Sequence, residues 1–253
     1  MELVLSLFPG AGILDRGFTA EGFCITKGPD IIWDERIEDY HIPPGRFDGI
    51  IGGPPCQNYS MANRKRDPAE GDRLVKEMLR IIHEGKPTWF LIENVPGIPN
   101  VASHGYTVQR LDLIDCECGG TQTRLRHIQF GSRWGSIIRP IRTPRPRRVT
   151  PTLTTVDDSP HARHSRRVRA QGLDTLPLRA LTRTARSRAI GNAVPFTMAT
   201  TLARAVALRG PVTPTDCPCL CGRVTTHGTQ ATAACRKRMQ RRRQNHSRQI
   251  TWP

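Results

Sequence analysis

The chain has 253 residues, enough for one α/β domain with a full core and small appendages, and its 38 Lys and Arg against 22 Asp and Glu give a formal charge of +16. So large a basic excess calls for a polyanionic partner. No run of about eighteen apolar residues is present to cross a membrane, and Met1-Glu2-Leu3-Val4 opens without a basic leader. The expectation is a soluble, intracellular protein with no membrane contact. The 8 cysteines do not read as a disulfide framework, because Cys24, Cys56, Cys116 and Cys118 are scattered while Cys217, Cys219, Cys221 and Cys235 crowd the tail.

In chain order, residues 3–8 read as a short buried strand, Pro9-Gly10-Ala11-Gly12 as a turn, and residues 13–21 as a helix. A strand, a glycine turn and a helix start together form an anion or nucleotide site, although the third glycine of the dinucleotide fingerprint is missing. A second strand ends near Gly28-Pro29-Asp30. A third covers residues 47–51, a helix residues 73–84, and another buried strand residues 89–92. This alternation predicts an α/β fold with a doubly wound, mostly parallel sheet. Residues 105–113 and 126–131 read as further strands at an antiparallel edge. From Arg139 the sequence turns rich in Pro and Arg. An amphipathic helix at 196–208 restores globular character before a linker at 211–214.

Four constellations carry chemistry. The turn at Gly10 and Gly12 lets a cofactor approach the backbone; Asp30 is placed to accept from ribose hydroxyls and Asp34 from an adenine amino group. Gly52-Gly53-Pro54-Pro55-Cys56-Gln57 puts a thiol on a stiff loop at a strand end, where two prolines fix φ. By itself the run fits either a packed loop cysteine or a nucleophile. Glu93-Asn94-Val95-Pro96-Gly97 ends the neighbouring buried strand, so Glu93 and Cys56 should face one crevice at the carboxyl ends of the strands. Gln122-Thr123-Arg124-Leu125-Arg126 sends two guanidiniums to one face of an extended segment, an arrangement suited to a phosphate or an anionic intermediate. Gly191-Asn192-Ala193-Val194-Pro195 reads as a turn into the last helix.

Taken in this order, the glycine turn, Pro55-Cys56-Gln57, Glu93-Asn94-Val95, Gln122-x-Arg124-x-Arg126 and Gly191-Asn192-x-Val194-Pro195 resemble the C5-cytosine DNA methyltransferases, over residues 1 to about 208. The resemblance implies the S-adenosylmethionine-dependent, Rossmann-like methyltransferase version of the sheet, with a small target-recognition insertion. It implies that Cys56 attacks C6 of a flipped cytosine, that Glu93 engages N3, and that Arg124 and Arg126 hold the nucleotide. It also implies a cofactor site lined by Phe8, Gly10, Gly12, Asp30, Asp34, Pro54, Leu74, Asn192 and Val194. Double-stranded DNA is the implied partner and a monomer the expected state. An RNA cytosine methyltransferase and a catalytically weak DNA-binding relative are the alternatives. The corresponding organisation is a core at 1–131, a basic recognition region at 132–187, a returning helix at 188–210 and a tail at 211–253. Because the recognition region is small, a short or degenerate target is expected.

The tail lies outside the resemblance. Cys217, Cys219, Cys221 and Cys235, followed by Arg236-Lys237-Arg238, read as a zinc knuckle opening into a basic helix, with His227 as an alternative to one of the cysteines, against the other reading of a disordered basic tail.

Overall fold

The computed structural model describes residues 1–55, 59, 67–153, 171, 182, 190–213, 216–217, 220 and 249–252. A six-stranded sheet forms its centre. The strands are β1 (Leu3–Leu7), β2 (Cys24–Lys27), β3 (Gly49–Gly52), β4 (Trp89–Asn94), β6 (Thr107–Ile114) and β7 (Leu125–Ser132), in the order β2-β1-β3-β4-β7-β6. The first four run parallel, whereas β7 lies antiparallel to both β4 and β6. The predicted antiparallel edge is therefore present.

The inner parallel strands β1, β3 and β4 are mostly apolar because both faces of the sheet are covered. On β4, Trp89 and Leu91 point into a core with Val4, Phe18, Ile128, Phe130, Met198 and Leu202. Phe90 and Ile92 point the other way, into a core with Leu5, Leu7, Ile50, Val75, Met78, Leu79 and Ile82. Helices α1 (Ile13–Ala20) and α3 (Phe196–Ala207) cover the first face and α2 (Pro68–Gly85) the second, which is the doubly wound arrangement. Helices α1 and α3 cross in close contact at Gly17, where a Cβ would fall 2.4 Å from the Ala199 Cβ.

Helix α2 begins five residues before the predicted start at 73 because the chain supplies its own cap. Asp67 accepts from the N–H groups of Ala69 (3.0 Å) and Glu70 (3.3 Å), and Pro68 occupies the first helical turn. Its apolar residues Val75, Met78, Leu79 and Ile82 recur at helical spacing on the buried face.

Two features were not foreseen. A second, two-stranded parallel sheet joins β5 (Asn100–Ser103) to β8 (Gln249–Trp252), which buries Ile250 in the α2-side core. The segment after α3 is also tied down. Asp216, 5 % exposed, pairs with Arg139 at 2.5 Å and accepts from the Thr213 N–H, and the Gln109 amide donates to the Leu220 carbonyl at 2.8 Å. The Arg139 guanidinium holds the Asp216 carboxyl down at about 2. Among the described residues no helix is long and apolar enough to cross a membrane.

Candidate functional site

The sheet register builds the site. Leu7 pairs with Gly52, and Gly52 with Ile92, so β1 and β3 end level while β4 runs on two residues farther against β7. Phe8 and Gly53 therefore leave the sheet beside Glu93 at its carboxyl edge, where open α/β sheets bind ligands.

At β1 the chain turns sharply into α1. Phe8, Gly10 and Gly12 all have positive φ (54°, 53° and 71°), and the Gly12 N–H closes the turn on the Pro9 carbonyl at 2.8 Å. A Cβ on Gly10 would point into open space, so another molecule can approach the backbone there. Asp30, buried, braces this turn from the end of β2: one carboxylate oxygen accepts from the Gly10 N–H at 2.8 Å and the other from the Ile32 N–H at 3.0 Å. Each oxygen keeps a lone pair for a further donor. Beside it Ile31 and Ile32 are 69 % and 57 % exposed, an apolar ledge at the mouth of the turn. Asp34 is exposed and closes the short turn Ile31–Trp33 with positive φ. Leu74 of α2 and Phe8 pack against the same apolar core.

Under the turn lies a group the motifs did not indicate. Asp15, 4 % exposed in the first turn of α1, accepts from the Ser6 hydroxyl at 2.5 Å. Burial pushes its carboxyl above the usual range, against the opposing pull of Ser6 and Lys27.

At β4, Glu93 is 7 % exposed and meets the Arg126 Nε at 2.6 Å. The antiparallel register sets Glu93 opposite Ile128 and Asn94 opposite His127, which brings Arg126 to the strand end beside the carboxylate. Gly53 leaves room for Glu93, whose Oε2 stands 3.1 Å from the position of a Gly53 Cβ. Asn94 donates from Nδ2 to the Pro54 carbonyl at 2.9 Å and accepts from the Val95 N–H at 2.8 Å. The loop that bears Cys56 is thus fastened to the strand that bears Glu93. Cys56 itself and Gln57 lie outside the described residues.

The predicted alternation at 122–126 is present, with Gln122, Arg124 and Arg126 all buried. The two arginines have different surroundings. Arg126 pairs with Glu93, whereas Arg124 donates to the Gly191 carbonyl at 2.6 Å and the Leu153 carbonyl at 2.8 Å. Arg124 therefore joins β7 to the Gly-Asn turn. That turn packs onto the glycine turn through a small apolar cluster of Ala11, Ile13, Ile190 and Ala193, which places Val194, buried, and Asn192, exposed, next to the start of α1.

Sequence reasoning missed the residues that organise this junction. Asp115, fully buried, accepts from the Gln122 N–H at 3.0 Å and the Thr197 hydroxyl at 2.6 Å. Gln171 donates to the Ile190 carbonyl at 2.9 Å and accepts from the Phe196 N–H at 3.2 Å. Neither has a local signal beyond being a polar residue in an otherwise ordinary stretch. In the basic region, Arg142 and Arg145 both pair with Glu117. Although burial opposes it, Arg145 and Arg142 hold the Glu117 carboxyl below its ordinary value. Arg147 and Arg148 are exposed. Of the cysteines proposed for zinc, Cys217 is buried, while Cys219, Cys221 and Cys235 lie outside the described residues. Among the described residues no group of His, Cys, Asp and Glu could hold a metal ion.

Comparison with known proteins agrees with this geometry. The family model for the C-5 cytosine-specific DNA methylase matches residues 29–171. Type II methyltransferase M.AgeI of Thalassovita gelatinovora is 30 % identical over 174 residues, covering 54 % of this chain and 41 % of the relative. Type II methyltransferase M.NgoPII of Neisseria gonorrhoeae is 34 % identical over 137 residues, covering 46 % and 39 %. The chain spans less than half the length of these two relatives. Among solved structures, the Entamoeba histolytica methyltransferase EhMeth superimposes with a TM-score of 0.61 over 81 % of this chain and 98 % of that one. At 13 % identity this likeness bears on the fold alone.

Proposed function

The chain belongs to the C-5 cytosine-specific DNA methylase family, and from that membership we propose that it transfers a methyl group from S-adenosylmethionine to C5 of cytosine in duplex DNA, acting as a monomer. The observation that carries the proposal is the convergence of Glu93, Arg126 and the Pro54-Pro55 loop at the carboxyl edge of the sheet. The glycine turn, open at Gly10, fits the cofactor. Phe8, Gly10 and Gly12 would receive its amino-acid portion, Asp30 its ribose, and Ile31 and Ile32 the flat face of its adenine, with Asp34, Pro54, Leu74, Asn192 and Val194 completing the site. Once bound, S-adenosylmethionine supplies an electrophilic methyl group.

The chain's own residues make cytosine nucleophilic. The Cys56 thiolate adds to C6, and the electron pair displaced from the C5–C6 bond makes C5 reactive. Glu93, carrying a proton, donates it to N3 and so draws electrons from the ring, while Arg126 holds the carboxylate that remains; the proton returns to Glu93 when the adduct breaks down. After C5 has taken up the methyl group, a base removes the C5 proton and the C6–S bond breaks, returning the thiolate. Because C6 is inaccessible in a stacked duplex, the cytosine must be extruded, at a cost of a few kcal/mol. The exposed Arg147 and Arg148 and the basic tail supply phosphate contacts to offset it. The type II methyltransferases among its relatives support a modification role of the restriction–modification kind.

Incubating the full chain with tritiated S-adenosylmethionine and unmethylated duplex DNA should label the DNA. Label in transfer RNA instead would replace DNA by RNA as the substrate, and label in neither would refute the enzymatic reading. For the tail we propose a structural zinc held by Cys217, Cys219, Cys221 and Cys235; the burial of Cys217 supports it. About one zinc per chain by elemental analysis, lost in Cys235→Ser, is the expected result.

A further inference from the structure

Cys56 lies between two points at which its loop is fastened. The near point is Pro54, whose carbonyl accepts from Asn94. The far point is Tyr59, a residue that no part of the methyl-transfer chemistry requires. Tyr59 is 5 % exposed, its ring sits in the α2-side core with Ile98 and Val101, and its phenol donates to Asp72 Oδ1 on α2 at 2.8 Å. The loop that follows Glu93 and Asn94 lies against its backbone: a Cβ on Gly97 would come within 2.7 Å of the Tyr59 carbonyl oxygen. Tyr59 therefore touches both α2 and the Glu93 loop. Helix α2 is a firm base for it, since Asp67 caps the preceding turn.

We propose that the Tyr59–Asp72 hydrogen bond is a positioning contact for the nucleophile, fixing the far side of the Cys56 loop so that the thiolate meets cytosine C6 in one geometry. The inference rests on the methyl-transfer reading above. Tying a short loop at both ends leaves it little conformational freedom. A nucleophile misplaced by about 1 Å loses on the order of 10²-fold in rate. Neither residue touches the reacting atoms, so both act through Cys56.

The test is steady-state methyl transfer by the full chain to unmethylated duplex DNA, with thermal unfolding of each variant alongside. Tyr59→Phe keeps the ring in the core and deletes the phenol, so the hydrogen bond is separated from packing. Tyr59→Phe and Asp72→Ala should each lower kcat about 10-fold, with KM for DNA within about twofold and the unfolding midpoint within a few degrees. The double variant should be no slower than either single one, because both remove the same bond. Asp72→Asn keeps an acceptor and should return kcat to within about twofold of the parent. An unchanged kcat in Tyr59→Phe, losses that multiply in the double variant, or an effect confined to KM would overturn the inference while leaving the enzymatic reading intact. A parent chain that transfers no methyl group overturns both.

Discussion

At the scale of single residues, the division between Arg124 and Arg126 separates two kinds of failure. Replacing Arg126 with Ala leaves the buried Glu93 carboxylate without its partner at 2.6 Å; methyl transfer should fall about 10²–10⁴-fold while the fold persists. Replacing Arg124 with Ala strips donors from the buried carbonyl of Gly191 and the part-buried carbonyl of Leu153. That should cost about 3 kcal/mol of stability, read as a lower urea midpoint. Asp15 provides a pH test. Its folded-state pKa is raised above the unfolded value of 3.8, so its ionisation opposes folding. The penalty is absent below the unfolded value, grows as pH rises through the folded value, and is full above it. Asp15→Asn, which keeps an acceptor for Ser6, should therefore unfold at a higher temperature than the parent at pH 7. That advantage should shrink as pH falls toward 4, and a variant less stable than the parent at pH 7 would contradict the assignment.

The separate fates of the two arginines also mark how far sequence can be read. The period-two spacing of Gln122, Arg124 and Arg126 announced that all three share a face, as they do. It could not announce that one guanidinium would meet a carboxylate and the other two backbone carbonyls, because those partners arrive from segments far along the chain. Asp30 is similar. Its place at the end of the second strand was legible, but its bond to the Gly10 N–H depends on the turn between β1 and α1.

At the scale of elements, strands β1, β3 and β4 were legible because each is a short apolar run bounded by turn residues, which a strand buried on both faces requires. The β5–β8 pair was not. Each strand has four residues and little apolar patterning of its own, and the pair is defined by tertiary contacts, among them Ile250 entering the α2-side core. The start of α2 was misread because its first turn is polar, although Asp67-Pro68 is a cap that the sequence displays. Asp67→Ala should cost about 1 kcal/mol, measurable by chemical denaturation. Gly17→Val, which forces a side chain into the α1–α3 contact where even a Cβ would lie 2.4 Å from Ala199, should be far more damaging.

At the scale of the whole molecule, the net charge suits the proposed DNA substrate. A chain of net charge +16 that binds duplex DNA by phosphate contacts should lose affinity linearly in log–log plots against salt. Arg147→Gln with Arg148→Gln should make that slope shallower by about two counterions, whereas Arg142 and Arg145, already paired with Glu117, should contribute less. The central claim is covalent catalysis by Cys56 on cytosine in DNA, and mechanism-based trapping tests it most directly. Fluorine at C5 cannot leave as a proton does, so elimination stops and the adduct persists. Full-length protein incubated with S-adenosylmethionine and duplex DNA containing 5-fluorocytosine should yield a denaturant-resistant protein–DNA complex whose peptide link maps to Cys56, and Cys56→Ser should yield none. A complex that survives the Cys56→Ser change, or methylated product from an enzyme that cannot be trapped, would contradict the account.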